Sequence, residues 1–160
     1  MKFNIPAKPV EAIDFEFETE AEQFLPDYVK PLRPASVKGK LTPKNDGYRA
    51  EGTIIYSFEY NCDLCAKTSK FSKTVNFDED FTKQKNQQDA YGFEGDIIDI
   101  TQLVIDTIVL SLPSRLICES DCKGLCPVCG TDKNNKECGC KIEQTASNPF
   151  EILKGIGGEK

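Results

Sequence analysis

The chain contains no histidine and no tryptophan among its 160 residues, and only one methionine. Without histidine there is no Ser–His or Cys–His catalytic pair, no His-ligated iron and no mixed Cys/His zinc finger. Any soft-metal site must be built from cysteine, or from cysteine with carboxylate. Long apolar runs are missing too. The most apolar stretch, Ile97 to Leu112, is interrupted by Asp99, Thr101, Gln102, Asp106 and Thr107, which excludes a membrane span there. The opening residues, Met1-Lys2-Phe3-Asn4-Ile5-Pro6, lack the apolar centre of a signal peptide. The expectation is a cytoplasmic protein in a reducing compartment, where paired cysteines more often mean metal than disulfide. Positive charge is in short supply, with 20 Lys and Arg against 26 Asp and Glu and a net charge of −6. Such a chain does not coat DNA or RNA non-specifically, although it can meet a basic protein, or RNA through one local patch. There is no glycine-rich phosphate cradle, and nothing pairs two carboxylates in a pocket, so no enzyme is expected.

What is present divides along the chain. Glu11, Asp14, Glu16, Glu18, Glu20, Glu22 and Asp27 form an acidic run, and Lys30, Arg33, Lys38, Lys40 and Lys44 a basic one. The plain reading is two solvated faces; the sharper one is an acidic lure for a basic partner and a basic edge for RNA. Val37–Leu41 reads as a short strand, followed by a turn at Pro43–Gly47 in which Asp46-Gly47 would supply positive φ angles. Tyr48, Ala50, Gly52, Ile54, Tyr56, Phe58 and Tyr60 alternate with mostly polar neighbours, the period of a long half-buried strand. Phe71, Val75 and Phe77 mark a returning strand, and the polar residues 78–95 read as a mobile loop. Ile97, Ile98 and Ile100 suggest a strand. A helix capped by Thr101 follows, with Leu103, Val104, Thr107, Ile108 and Leu112 on its inner side and Pro113 as its stop. Asn148–Leu153 reads as a short terminal helix.

The eight cysteines stand at 62, 65, 118, 122, 126, 129, 138 and 140, enough for two four-thiolate sites. Cys126-Pro127-Val128-Cys129-Gly130 is the strongest unit. A C-x-x-C turn lets two thiolates reach one tetrahedral ion roughly 2.3 Å from each sulfur. The glycine after it permits a left-handed backbone that aims amide N–H groups at the sulfurs. Cys138-Gly139-Cys140 can supply the other two ligands across the polar loop Thr131–Glu137. A second set would join Cys62 and Cys65, at a hairpin tip, to Cys118 and Cys122; the crossed grouping of Cys62 and Cys65 with Cys126 and Cys129 stays open. Other readings compete. Cys122-x3-Cys126-x2-Cys129 has the spacing of a radical iron–sulfur motif, but no βα alternation surrounds it. Cys126-Pro127-Val128-Cys129 is similar to a dithiol redox pair, but no strand leads into it and no helix leads out. Buried thiols without metal are the plain alternative.

The Cys62/Cys65 hairpin, Leu112-Pro113, the run Asp121-Cys122-Lys123-Gly124-Leu125-Cys126-Pro127-Val128-Cys129-Gly130, the Cys138/Cys140 pair and Asn148-Pro149-Phe150-x-x-Leu153 together resemble the YceD family. One departure is Leu64, where family members often carry arginine before the second hairpin cysteine. The resemblance implies a role in accumulation of large-subunit ribosomal RNA. It implies action through binding the rRNA precursor or a basic large-subunit ribosomal protein, not through catalysis. A thiol-based redox or metal-responsive protein is the alternative.

The expected architecture is therefore α+β: an antiparallel sheet or partial barrel with one main helix and a C-terminal all-cysteine zinc module. Residues 1–113 would form the core domain and 114–142 the module packed on it, with 143–160 as a tail. One or two zinc ions would be held by Cys126, Cys129, Cys138 and Cys140, and by Cys62, Cys65, Cys118 and Cys122. Lys30, Arg33, Lys38, Lys40 and Lys44 are the RNA candidates, and a monomer without membrane or DNA partners is expected.

Overall fold

A computed structural model describes residues 1–5, 11–83 and 90–141. It forms two compact units, Met1–Cys122 and Lys123–Lys160. The expected helix at Asn148–Leu153 and residues 84–89 of the expected loop lie outside the described residues.

The first unit is mostly sheet with one helix. Its strands are β1 (Lys2–Asn4), β2 (Ile13–Thr19), β3 (Lys30–Pro31), β4 (Ala35–Lys44), β5 (Gly47–Asn61), β6 (Thr68–Thr82), β7 (Tyr91–Gly92) and β8 (Ile97–Asp99), followed by helix α1 (Thr101–Ser111). The main sheet runs β2-β4-β5-β6-β7, with β3 also pairing β5; β1 and β8 form a separate two-stranded ribbon. All pairings are antiparallel except β6 with β7.

The period of two decides which face is buried. Along β5, Tyr48, Ala50, Ile54, Tyr56, Phe58 and Tyr60 are buried, and register brings Phe81, Phe77 and Phe71 of β6 onto the same side. Helix α1 covers this side with Leu103, Val104 and Ile108. Gly39 and Gly52 face each other between β4 and β5, with Phe15 opposite Gly39 and Phe77 opposite Gly52. The missing side chains make room for two rings from the flanking strands, which stack at 6.4 Å. A Cβ on Gly39 would lie 2.8 Å from the tip of Phe15, and one on Gly52 2.7 Å from the tip of Phe77.

Several expectations change. Residues 78–82 are not loop: β6 continues to Thr82, and Tyr91–Gly92 is a strand parallel to it. Asp78 and Asp80 sit on the outer face, where Arg49 of the adjacent β5 pairs with Asp78 and Lys44 of β4, one strand farther on, pairs with Asp80. The acidic run contains β2, whose Phe15 and Phe17 face inward while Asp14, Glu16 and Glu18 are exposed. The β4–β5 turn comprises Asn45 and Asp46, and neither they nor Gly47 has positive φ. Gly47 serves close approach instead, since a Cβ there would collide with the backbone of Phe81. Thr101 does not cap α1 with its side chain; Asp99 Oδ1 accepts the Thr101 N–H at 2.9 Å. At the other end, the Lys73 ammonium donates to the Ser111 carbonyl at 2.5 Å, a cation at the negative end of the helix dipole. Leu112 is extended before Pro113, which disfavours helical backbone in the residue before it. Among the described residues no helix is long and apolar enough to cross a membrane.

Candidate metal centres

Two C-x-x-C turns carry the chemistry, and their backbones are alike. In the first, at the β5–β6 tip, the Cys62 N–H donates to Lys67 O at 2.9 Å and the Ala66 N–H donates back to Cys62 O at 2.8 Å. In the second, the Cys126 N–H donates to Thr131 O and the Gly130 N–H to Cys126 O, both at 2.8 Å. Both turns need a left-handed residue after the second cysteine. Gly130 supplies it at φ 72°, and Ala66 takes it at φ 57° despite its side chain.

In the first unit, Cys62, Cys65, Cys118 and Cys122 bring their sulfurs within 4.8 Å of one another. Cys62 and Cys122 stand 3.9 Å apart, and Cys65 and Cys118 3.7 Å. Four sulfurs each about 2.3 Å from a central tetrahedral ion are separated by about 3.8 Å. A disulfide would need about 2.05 Å, and all eight cysteines are free. In the second unit the sulfurs of Cys126, Cys129, Cys138 and Cys140 likewise all lie within 4.8 Å of one another. The crossed grouping is not the one found. Either tetrad could hold a metal ion.

The local fields are arranged for thiolates. Burial pushes the Cys62 thiol up, but the amides of Cys118, Cys65 and Leu64 aimed at its sulfur bring it down to about 6. The Cys118 N–H lies 3.4 Å and the Leu64 N–H 3.5 Å from that sulfur. Cys129 is likewise lowered to about 6 by the hydroxyl and amide of Thr131, with the hydroxyl 3.2 Å from Sγ. In the crowded sets, Cys118 is pushed up to about 12 by burial and then by its neighbouring sulfurs, and Cys140 to about 12 by Cys129 and then by burial. Four mutually close thiols that cannot all ionise unaided are what a divalent cation resolves.

Residues not singled out from the sequence hold the ligands in place. Asp63 donates its N–H to Leu116 O and accepts the Leu116 N–H on its carboxylate, each at 2.8 Å. Tyr60 Oη donates to Ile117 O at 2.8 Å. These bonds dock 116–118 on the hairpin tip and deliver Cys118. In the second unit the polar loop is organised by Asp132. Its carboxylate accepts the Asn134 N–H at 2.9 Å, and the side-chain amides of Asn134 and Asn135 at 2.8 Å. The Lys133 N–H closes onto Gly124 O at 3.0 Å. The Asp-x-Asn-Asn pattern at 132–135 is the available signal; the Asp63–Leu116 clasp has none, because its partners are 53 residues apart.

The basic candidates divide. On the outer face of the sheet Lys38 pairs with Glu16 at 3.5 Å, Lys40 with Glu51 at 2.7 Å and Lys44 with Asp80 at 2.7 Å. Lys30 and Arg33 are exposed and have no ion pair among the described residues.

No solved structure matches the chain. Uncharacterized proteins of Mycobacterium tuberculosis (strain H37Rv) and Mycobacterium bovis are each 29% identical to it over 122 residues, covering 72% of this chain and 58% of theirs. An Arabidopsis thaliana protein named large ribosomal RNA subunit accumulation protein YCED homolog 1, chloroplastic is 38% identical over 47 residues, 29% of this chain and 15% of that one. The chain thus spans little more than half the length of its mycobacterial relatives. The family described as large ribosomal RNA subunit accumulation protein YceD matches residues 50–157, from β5 through both cysteine tetrads, and the chain belongs to that family.

Proposed function

We propose that this protein is a non-enzymatic assembly factor of the large ribosomal subunit. In this reading it acts in the cytoplasm and promotes accumulation of large-subunit rRNA by binding the rRNA precursor or a basic ribosomal protein. The family match over residues 50–157 carries the reading. The Arabidopsis relative's name, which speaks of large ribosomal RNA accumulation, points the same way. The absence of histidine and of a recognisable catalytic pairing supports action by binding.

Each tetrad takes one zinc ion in this reading. An all-thiolate donor set favours zinc, copper(I) or iron–sulfur centres. In the first tetrad sulfur separations of 3.7 and 3.9 Å suit a single tetrahedral ion, whereas a cluster of several irons holds its cysteines farther apart; in the second the four sulfurs all lie within 4.8 Å of one another. The metal, when bound, supplies no reaction; it joins separate chain segments into one scaffold.

Crosslinking in cells followed by sequencing and mass spectrometry tests the function. Large-subunit rRNA or large-subunit proteins should be enriched over small-subunit material, and recovery of neither would remove the assembly reading. The redox alternative draws on the exposure of Cys129. It predicts a pair that cycles with a dithiol reductase while metal stays bound; the structural reading predicts slow thiol labelling until metal is withdrawn.

A further inference from the structure

We propose that the outer sheet face beside the β5–β6 tip is a single-stranded RNA site, with Tyr28 as a stacking platform and Lys30 and Lys70 as phosphate contacts. This rests on the ribosomal RNA reading above and names the surface that would carry it.

Register places the groups together. Lys30 lies opposite Glu59 and Glu59 opposite Lys70, so the three form one row across β3, β5 and β6; Asn61 and Thr68 form the next row towards the tip. This face is the one the core does not use. Its charge is divided. At the β4–β5 end Lys38, Lys40, Lys44 and Arg49 are each committed to a carboxylate. At the β5–β6 end Lys30 and Lys70 are exposed with no ion pair among the described residues. Exposed Arg33 and Lys67 flank them in the chain. On the outer face of this sheet, in a chain of net charge −6, this is where cations remain available to an anionic ligand.

The second observation is aromatic. Tyr28 is 72% exposed, and it lines a dent of about 190 Å³ together with Asp27, Lys30, Glu59, Asn61 and Thr68. Every base offers a π-face to such a ring, and lysines alongside track the backbone. Asn61 Oδ1 accepts from the Thr68 hydroxyl at 3.1 Å, which directs its amide N–H groups towards other acceptors such as base carbonyls. Glu59, between the two lysines, can accept from a base amino group or a ribose hydroxyl, so the dent suits a nucleotide better than a bare phosphate. A duplex would keep its base faces stacked away from Tyr28.

The test uses zinc-loaded full-length protein and a fluorescent, unstructured oligouridine of about ten nucleotides, followed by anisotropy across a salt series. Tyr28→Ala should weaken binding about 5- to 100-fold with the salt slope unchanged, while Tyr28→Phe stays within about twofold. Lys30→Ala with Lys70→Ala should lower the salt slope by about 1.4, the share of two phosphate contacts on a single strand. Lys38→Ala with Lys40→Ala should leave both quantities unchanged. These side chains are all exposed, and an unchanged denaturation midpoint of the sheet shows that each variant is folded. Equal losses in the two lysine pairs, or no effect of the Tyr28 and Lys30/Lys70 changes, would overturn the site. If the wild type ignores the RNA yet still recovers large-subunit material from cells, the site falls and the assembly reading stands. If the variants behave as expected but cellular recovery fails, the site stands and the assembly reading falls.

Discussion

The two cysteine turns share a backbone and differ in what surrounds them. In the first tetrad, ligand pairs come from segments 53 and 60 residues apart, and Cys62 and Cys65 are buried at the end of a long sheet. The intervening strands and helix have their own apolar core, and Asp63 and Tyr60 already clasp the returning segment. In the second, all four ligands fall within 126–140. Leu125 is 39% and Val128 61% exposed, and between 123 and 141 only Gly124 and Cys126 are buried. If both tetrads hold the zinc proposed above, the same motif does two things: it fastens a seam on a folded domain, and among the described residues of the second unit it takes the place of an apolar core.

Metal removal should separate the two most strongly. Structural zinc contributes on the order of 10 kcal/mol or more in small thiolate modules, more than any other interaction between residues 123 and 141 can supply. With a chelator, amide exchange there should rise to the unprotected rate while β4, β5 and β6 stay protected. Cys126→Ser should reproduce this with loss of about one zinc, and Cys62→Ser should release one zinc and loosen 116–122 without melting the sheet. Retained protection at 124–136 in the chelated protein would break the comparison.

Acid should act on both tetrads in the same direction. Cys62 and Cys129, lowered to about 6, are thiolates at neutral pH, whereas Cys118 and Cys140, pushed up to about 12, must lose protons to bind metal. Protons therefore compete with the ion, and affinity falls as pH falls. Each displaced proton costs about 1.4 kcal/mol per pH unit. Below about pH 6 the loss steepens, because Cys62 and Cys129 then take up protons too. A metal-indicator titration from pH 8 to about 5 should show the break near 6 at both sites.

Smaller and more selective is Asp63→Ala. It leaves the buried Leu116 N–H without its acceptor and should cost about 1–3 kcal/mol, felt in the first unit only. Chemical denaturation combined with zinc release should show the first site weakened and the second untouched.

How much of this was legible in the sequence follows from how local each signal is. The alternation Tyr48 to Tyr60 is complete within one strand, so β5 was plain. The alternation of β2 was equally present, but Asp14, Glu16 and Glu18 read as charge before Phe15 and Phe17 read as pattern. The end of β6 looked like loop because Asp78 and Asp80 have partners only on β4 and β5. A spacing as short as 126–140 implies one site; which of the distant cysteines meet is a tertiary fact, settled by the β5–β6 tip and the Asp63 clasp. The basic run likewise mixed two kinds of lysine, which only cross-strand neighbours tell apart.

The smallest effect bears on the turns themselves. Ala66 and Gly130 occupy the same left-handed position, one at a cost and one without. For a residue with a Cβ that conformation costs roughly 1–2 kcal/mol. Ala66→Gly removes the cost but returns about 0.4–1 kcal/mol of chain entropy to the unfolded state, so a net gain of about 0.5–1 kcal/mol is expected. Gly130→Ala imposes the same cost, and no atom lies within 4 Å of the new Cβ, so the loss of about 1 kcal/mol is conformational and not steric. In the first unit the gain spreads over a cooperative sheet and should raise the denaturation midpoint with zinc affinity almost unchanged. In the second, if zinc binding and folding are one equilibrium as proposed, the loss should appear as about a fivefold weaker zinc affinity. If Gly130→Ala left that affinity intact, the second unit would have to fold before it meets its metal, and the contrast between the two turns would disappear.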